Sequence, residues 1–231
     1  MKLGIIGAME MEVETLLGLL EDKKTTVHAA TAFHEGKLDG LDVVVVQCGI
    51  GKVNAALCVQ MLCDFYAVTH LVNTGIAGSL DPVLDIGDLV ISLDAMYHDV
   101  DVTNFGYVPG QMAGMPAAFA ADAALVEAAY GAAEQVNPGH TRKGRVASGD
   151  QFVCTQDLKD KIIAVTGAQC TEMEGAAIAQ AAYRNQIPFV IIRAISDKAD
   201  NSAEMDYPTF ERIAAHRCAA VTRTFAGMLK S

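Results

Sequence analysis

The chain has 231 residues, of which 52% are hydrophobic and 19% charged, enough apolar surface for one well-buried core. Its formal net charge is −11 and its 17 Lys and Arg are scattered, which argues against nucleic acid or an anionic membrane surface as a partner. No apolar run reaches about 18 residues, so we expect no membrane-spanning helix and predict one domain over residues 1–231.

Short apolar runs alternate with helical patterns along most of the chain. The predicted strands are 2–7, 27–33, 41–48, 70–75, 89–93, one ending at 145–148, and 189–196. The predicted helices are 10–20, 53–65, 122–135, 156–165, 173–185 and 207–229. This alternation is typical of an α/β domain with a central, mixed but mostly parallel sheet and helices on both faces.

The segment 97–119 breaks the alternation. It contains Gly106, Pro109, Gly110, Gly114 and Pro116 and has no hydrophobic period. A loop of this length in a compact domain is typically functional or packs against a partner.

The N-terminus and the cysteines both favour the cytoplasm. The first apolar run becomes acidic at Glu10, too early for a secretory signal peptide. The 6 cysteines include no Cys-x-x-Cys pair, and a chain of this size needs no disulfide framework. We therefore predict buried, reduced thiols in a cytoplasmic protein.

Acidic residues stand close to the ends of predicted strands. Asp197 ends the run 189–196, Glu12 lies in the helix after the first strand, and Glu172 and Glu174 lie at the start of the helix at 173–185. Because ligands bind at the carboxyl edge of parallel sheets, we expect these acids to form one site.

Two of these acids have the properties of an acid/base pair. Burial would raise the pKa of Asp197 into the range of a general acid, unless Arg193 or Lys198 pairs with it. The dipole of the helix that contains Glu12 would favour its ionised form. Two carboxyls in unlike environments can exchange protons with a substrate, and the competing interpretation is that they only cap helices.

Two neighbouring motifs each allow two interpretations. Thr171 and Glu174 have the spacing of a capping box, or Glu174 binds a sugar diol. Gly75 and Gly78 form either an ordinary turn or a wall without side chains against which a flat ring lies.

Two other motifs predict no cofactor site. The sequence 49–52, Gly-Ile-Gly-Lys, lacks the remaining residues of a nucleotide phosphate loop, and it predicts a tight turn that is structural or lets backbone approach a ligand. His98 and Asp101 have no companion histidines elsewhere, so we predict a polar loop and no metal.

Sequence motifs along the whole chain resemble those of a known family. These motifs lie at residues 4–10, 49–53, 73–75 with 77–78, 97–103, 105–107, 148–150, 172–174 and 193–197. With them the chain resembles the nucleoside phosphorylase/nucleosidase superfamily and, most closely, the bacterial 5′-methylthioadenosine/S-adenosylhomocysteine nucleosidases. The resemblance implies hydrolysis of the N-glycosidic bond of these nucleosides, and of 5′-deoxyadenosine, in methionine salvage. It implies no cofactor.

The resemblance also implies roles for residues. Asp197, oriented by Ser196, protonates purine N7, and Glu12 activates water with Arg193 nearby. The implied substrate-binding residues are Met9, Ile50, Gly78, Phe152, Val153, Glu172, Met173, Glu174, Arg193, Ser196 and Tyr207. Among them Phe152 stacks on the base, the backbone of Val153 reads its edge, and Glu174 binds the ribose hydroxyls. In the implied homodimer, the long loop sends Val102, Phe105 and Ala113 into the partner's 5′ pocket.

The chain departs from the family pattern at Ile76, where relatives often have Ser, and at Ala113, where Pro is common. Three alternative functions stay open: a futalosine or aminofutalosine nucleosidase, a phosphate-dependent purine nucleoside phosphorylase, and a nucleoside sensor without turnover. The carboxylates around Glu12 favour water over phosphate as nucleophile, because they would repel an anion.

Overall fold

The computed structural model describes residues 1–230, which form one sheet of ten strands and six α-helices. The strands are β1 (Lys2–Gly7), β2 (Glu21–His28), β3 (Thr31–Leu38), β4 (Leu41–Gln47), β5 (His70–Ser79), β6 (Leu89–Tyr97), β7 (Phe119–Ala120), β8 (Thr141–Ser148), β9 (Cys170–Glu172) and β10 (Phe189–Asp197). The helices are α1 (Glu10–Gly18), α2 (Lys52–Tyr66), α3 (Ala123–Val136), α4 (Gln156–Thr166), α5 (Gly175–Asn185) and α6 (Ala203–Met228).

The sheet is mixed, as predicted, and its centre is parallel. β1 lies between β4 and β5, and β5 pairs with β10, all in parallel. β6, β8 and β9 connect β10 back to β5, so that five strands close into a ring. All nine residues of β10 are buried because the layers on both faces cover it.

Helices cover both faces of the sheet. One buried cluster joins α2 and α5 to one face, and a second joins α1, α3 and α6 to the other. This arrangement confirms the predicted α/β fold. It also brings the carboxyl ends of β1, β5 and β10 to a common edge, because these strands are parallel neighbours.

The largest error of the strand prediction is at 27–33. A tight turn with positive φ at Ala29 (47°) and Ala30 (62°) divides this stretch between β2 and β3. β2 has mostly exposed residues, and its first four residues are charged. This composition protects an edge strand from pairing with another chain, but it leaves no hydrophobic alternation by which the strand could be predicted. The three-residue strand β9 was also not predicted.

The helix predictions differ from the structure mainly at their starts. α5 begins at Gly175 rather than at residue 173. α6 begins at Ala203 rather than at residue 207, so that Pro208 lies inside the helix. Between β6 and β7 the chain contains only one 3₁₀ turn, Thr103–Phe105, as the lack of periodicity in segment 97–119 predicts.

The cysteines are all free, and four of the six are buried, whereas Cys63 and Cys154 are half-buried. Burial raises the pKa of the Cys58 thiol to about 12, so it stays protonated at neutral pH. Within residues 1–230, no helix has both the length and the apolar character required to cross a membrane.

Candidate active site

A cavity of about 440 Å³ lies at the edge where the central parallel strands end. Twelve of the thirteen predicted catalytic and substrate-binding residues line it: Met9, Glu12, Ile50, Gly78, Phe152, Val153, Glu172, Met173, Glu174, Ser196, Asp197 and Tyr207. It is also lined by Ala8, Ile76, Ala77, Gln151 and Thr171. The volume falls in the range of small-molecule sites.

Asp197 is the last residue of β10 and is only 2% exposed. Its Oδ1 accepts the N–H of Ala199 at 2.8 Å, and its Oδ2 accepts the Ser196 hydroxyl at 2.8 Å. The two possible cationic partners are engaged elsewhere, Arg193 with Glu172 and Lys198 with Asp85. Burial raises the pKa of Asp197 even though the Ala199 and Ser196 hydrogen bonds oppose the shift. This carboxyl therefore retains a proton to higher pH than an ordinary aspartic acid.

Glu12 is the third residue of α1 and is 2% exposed. Its Oε2 accepts the N–H groups of Ala8 at 2.7 Å and Met9 at 2.9 Å, and its Oε1 accepts that of Ile76 at 3.1 Å. Burial raises the pKa of Glu12, while the charge of Arg193 and these N–H groups lower it. The N–H groups at the helix start favour the ionised form, as expected, but burial outweighs them and the pKa of Glu12 is raised overall.

Arg193 lies behind the cavity wall, 1% exposed, among three of the acids. Its Nη2 donates to Glu172 Oε2 and to Asn73 Oδ1, and Glu174 Oε2 lies 3.8 Å from the same nitrogen. Burial lowers the pKa of Arg193, but Glu172, Glu12 and Glu174 outweigh it and raise the pKa overall. The guanidinium therefore stays charged and partly neutralises the acidic cluster.

The carboxylate of Glu172 caps helix α5. Its Oε2 accepts the N–H groups of Glu174 at 3.1 Å and Gly175 at 2.8 Å, and its Oε1 accepts the Ser148 hydroxyl. Of the two interpretations left open for Thr171 and Glu174, the capping box is wrong, because α5 begins at Gly175 and Thr171 Oγ1 is buried with no hydrogen-bond partner among the described residues. Both oxygens of Glu172 are thus used within the protein, although the residue lines the cavity.

Glu174 occupies the N-cap position of α5 and reaches across to the start of α2. Its Oε1 accepts the N–H of Gly51 at 2.8 Å. Burial raises the pKa of Glu174 to about 8, with Glu172 adding to the shift and Arg193 opposing it. Because only one oxygen holds the backbone, the other can bond to a hydroxyl of a ligand.

An apolar side of the cavity is formed by Met9, Ile50, Phe152 and Tyr207. The rings of Phe152 and Tyr207 meet edge to face with centroids 5.4 Å apart, and the Tyr207 hydroxyl donates to Met9 Sδ at 3.3 Å. Phe152 and Ile50 are each about half exposed, so the cavity opens to solvent on this side.

Sequence reasoning missed two residues that support the site. Asn73 receives the hydrogen bond from Arg193 and donates to Ile6 O at 2.9 Å, and Ser148 holds Glu172. Both are fully buried polar side chains. A buried polar residue needs a partner, and this would have been the signal.

Gly75 and Gly78 were expected either to form an ordinary turn or to give a bare wall for a flat ring. A Cβ at Gly75 would overlap the Glu12 carboxylate and the Arg193 guanidinium. A Cβ at Gly78 would lie 2.8 Å from Asp197 Oδ1 and 2.8 Å from Ala199 Cβ. The missing side chains therefore make room for both carboxyls, and Gly78 also lines the cavity.

We expect Gly78→Ala to lower turnover at this site by roughly 10²-fold, because a displacement of about 1 Å at a reacting group can have that effect. Gly18→Ala is the matched control, since a Cβ there meets no atom within 4 Å. The measurement is the rate of turnover together with thermal unfolding of both variants. Unchanged turnover in Gly78→Ala would contradict the close seating of Asp197.

The three residues predicted for a partner's pocket do not line this cavity. Val102, Phe105 and Ala113 lie on segment 97–119, and Phe105 is 80% exposed. Within residues 1–230, no group of three His, Cys, Asp or Glu side chains is arranged to hold a metal ion.

Comparisons with known proteins agree over nearly the whole chain. The phosphorylase superfamily model matches residues 2–227. A relative from Shewanella denitrificans, named 5′-methylthioadenosine/S-adenosylhomocysteine nucleosidase, is 45% identical over 222 residues, which are 95% of this chain and 96% of the relative. A solved nucleosidase of the same name from Colwellia psychrerythraea, in complex with adenine, is 44% identical with a TM-score of 0.96 over 99% of this chain and 96% of that one.

The fold is also shared at lower identity. A solved futalosine hydrolase mutant from Helicobacter pylori is 28% identical, with a TM-score of 0.94 over 98% of this chain and 99% of that one. The fold alone therefore does not separate the two nucleoside classes, and the residues of the cavity must do so.

Proposed function

Because this chain belongs to the phosphorylase superfamily and matches nucleosidases over nearly its full length, we propose that it hydrolyses the N-glycosidic bond of 5′-methylthioadenosine and S-adenosylhomocysteine, and also of 5′-deoxyadenosine. The family that the sequence motifs predict is confirmed. The observation that carries the proposal is that one cavity brings together the buried carboxyls of Glu12 and Asp197, whose neighbours differ in charge.

Asp197 acts as the general acid. Its raised pKa keeps a proton available, and the Ser196 hydroxyl and Ala199 N–H fix its orientation. It donates the proton to purine N7 while the bond between C1′ and N9 breaks, so that adenine leaves as a neutral molecule. Asp206 and Asp200 add to the raised pKa, which favours the protonated form further.

Glu12 acts as the general base. Arg193 opposes the effect of burial on its pKa, so the carboxyl can ionise although it is enclosed. It removes a proton from water as the water oxygen bonds to C1′, and the carboxylates of the cluster stabilise positive charge on the sugar ring. Solvent then takes the proton from Glu12 and reprotonates Asp197, and one water is consumed in each turnover.

The charge of the cavity favours water over phosphate. Among residues 1–230, no Lys or Arg lines the cavity, and the nearest cation, Arg193, is paired with Glu172 behind the wall. A phosphate ion would face Glu12 and Glu174 without a free cation, which is electrostatically unfavourable. The same absence argues against futalosine, because its carboxylated aromatic group would need a positive partner at the 5′ end.

The other residues of the cavity have proposed substrate contacts. Phe152 stacks on the purine, the backbone of Val153 reads its edge, and Glu174 binds the ribose hydroxyls beside Met173. The apolar side formed by Met9, Ile50 and Tyr207 covers the ribose and thioether. Glu172 and Arg193 act behind these contacts by holding the start of α5.

The decisive experiment is incubation with methylthioadenosine in the presence and absence of phosphate, with identification of the sugar product. We expect adenine and free methylthioribose at equal rates in both conditions. Formation of the sugar 1-phosphate would favour a phosphorylase instead. Tight binding without turnover would favour a sensor.

The homodimer is proposed from exposed apolar surface. Val53 and Leu57 of α2 are 71% and 55% exposed, Tyr183 of α5 is 54% exposed, and Phe105 and Val108 of the long loop are 80% and 52% exposed. A patch of this kind is typical of an interface. Equilibrium sedimentation checks it, and a monomer would remove the role of the loop in a partner's 5′ pocket. The cytoplasmic location and the part in methionine salvage stay predictions.

A further inference from the structure

Three loops at the carboxyl edge of the sheet are tied together by a group that lies outside the active-site cavity. Lys52 Nζ lies 2.6 Å from Asp99 Oδ2 and 3.5 Å from Asp150 Oδ2. The backbone N–H of Lys52 donates to Asp150 Oδ1 at 2.8 Å, and that of Asp150 donates to Asp99 Oδ2 at 2.9 Å. We call Lys52, Asp99 and Asp150 the Lys52 clamp. It joins the loops that follow β4, β6 and β8.

The clamp borders the one backbone group that holds Glu174. The Gly51 N–H donates to Glu174 Oε1 at 2.8 Å, and Gly51 directly precedes Lys52. Gly51 has φ 99° and ψ 160°, a conformation that essentially only glycine adopts and that surrounding contacts must maintain. Asp150 Oδ1 lies 3.1 Å from the position that a Cβ of Gly51 would take, so the clamp packs directly against this turn.

The charges explain why Lys52 is the central member. Asp99 and Asp150 are two carboxylates that share one cation, and the side chains of Lys52 and Asp99 are only 23% and 16% exposed. Without the ammonium group, the two carboxylates would repel each other in partly desolvated surroundings. The loops after β6 and β8 would then separate from the start of α2, and the Gly51 turn would lose its support.

We propose that Lys52 is a positioning residue for substrate binding. Through the clamp it fixes the Gly51 N–H, which holds Glu174 Oε1 and leaves Oε2 to accept the ribose hydroxyls. Lys52 itself does not line the active-site cavity, and it borders a separate cavity of about 400 Å³ between α2 and α5. This inference rests on the proposed role of Glu174. It predicts a defect specific to ligands that carry a ribose.

The test compares Lys52→Met with Lys52→Arg and with the control Lys2→Met. Lys2 makes an ion pair of 2.8 Å with Glu35 at similar exposure, and like Lys52 it lies over a tyrosine ring. Lys2 is the first residue of β1, at the end of the strand opposite to the cavity. We expect Lys52→Met to raise KM for methylthioadenosine about tenfold, the effect of losing about one hydrogen bond, with a smaller change in kcat. Lys52→Arg should restore most of the loss, and Lys2→Met should change neither constant.

Two ligands separate positioning from a general structural defect. Adenine has no ribose, so its inhibition constant in Lys52→Met should stay within about twofold of the wild-type value. A tenfold loss, as expected for the nucleoside, corresponds to about one hydrogen bond. The penalty for the 2′-deoxy analogue of methylthioadenosine should be smaller than for the ribonucleoside. Equal losses for all three ligands, or an unchanged KM, would overturn the proposal.

Direct binding keeps this test separate from the proposed reaction. Calorimetry in a Glu12→Gln background measures nucleoside and adenine affinity while hydrolysis is blocked. About tenfold weaker nucleoside binding with unchanged adenine binding supports the role of Lys52, even if turnover assays contradict the hydrolase. Equal affinity of the Lys52→Met and parent proteins for the nucleoside would overturn it.

Discussion

Asp197→Asn is expected to lower turnover of methylthioadenosine by about 10²-fold or more, the scale of one positioned proton donor. The amide is nearly the same size and can still accept the Ala199 N–H, but it cannot transfer a proton to N7. The loss should disappear with a nitrophenyl riboside, because a leaving group of low pKa departs without protonation.

Stability should behave differently from activity in this variant. The folded-state pKa of Asp197 is raised, so the ionised form is penalised in the folded protein and stability is lost as the pH rises through that pKa. Asn carries no charge, and at a pH above that pKa the melting temperature of the variant should therefore not fall below that of wild type. In wild type, the rate should fall as the pH rises through the raised pKa of Asp197, and Asp197→Asn should lose this dependence.

Asp160→Asn is the matched control for Asp197→Asn. Asp160 lies on α4, is exposed, accepts a hydrogen bond from the Gln156 side chain at 2.7 Å and does not line the cavity. It should keep nearly normal turnover. Near-normal adenine release by Asp197→Asn itself would remove this residue from the mechanism.

Much of the site was predictable because it lies at strand ends. The run 189–196 is apolar and ends abruptly in a carboxylate, and nearly continuous apolar runs are typical of strands covered on both faces. Once β1, β5 and β10 are parallel neighbours, their following residues must meet at one edge, and Glu12 and Asp197 follow from that geometry.

The contacts that arrange the site were not predictable from local patterns. Glu174 is held by Gly51, which is 123 residues away, and Lys52 meets Asp150 across 98 residues. The spacing of Thr171 and Glu174 predicted a local cap, but Glu172 supplies it because Arg193 fixes that carboxylate beside the start of α5. Such contacts depend on strand order, which hydrophobic periods do not specify.

The roles of the two glycines were also not predictable from the sequence alone. The sequence allowed either an ordinary turn or a wall without side chains at Gly75 and Gly78. Only the structure shows that carboxyls from α1 and β10 occupy the space, because this requires the register between β5 and its neighbours.

Glu12→Gln is expected to reduce hydrolysis by about 10² to 10⁴-fold while nucleoside binding is retained. An amide cannot take the proton from water. One end of the amide can still accept from Ala8 and Met9, but its NH₂ group would face the Ile76 N–H and lose that hydrogen bond, at a cost of about 1 kcal/mol. Removal of a buried ionisable group offsets part of this cost, so the fold should persist.

Three measurements distinguish Glu12 from Asp197. The nitrophenyl riboside should not rescue Glu12→Gln, because attack by water still needs a base. In wild type the rate should fall as acid protonates Glu12, and this fall should occur at a higher pH than the ordinary pKa of 4.5 because the pKa of Glu12 is raised.

Glu10→Gln, an exposed position on the same helix, is the control and should keep normal turnover. Calorimetry that shows lost nucleoside binding in Glu12→Gln would reassign this residue from proton transfer to substrate recognition.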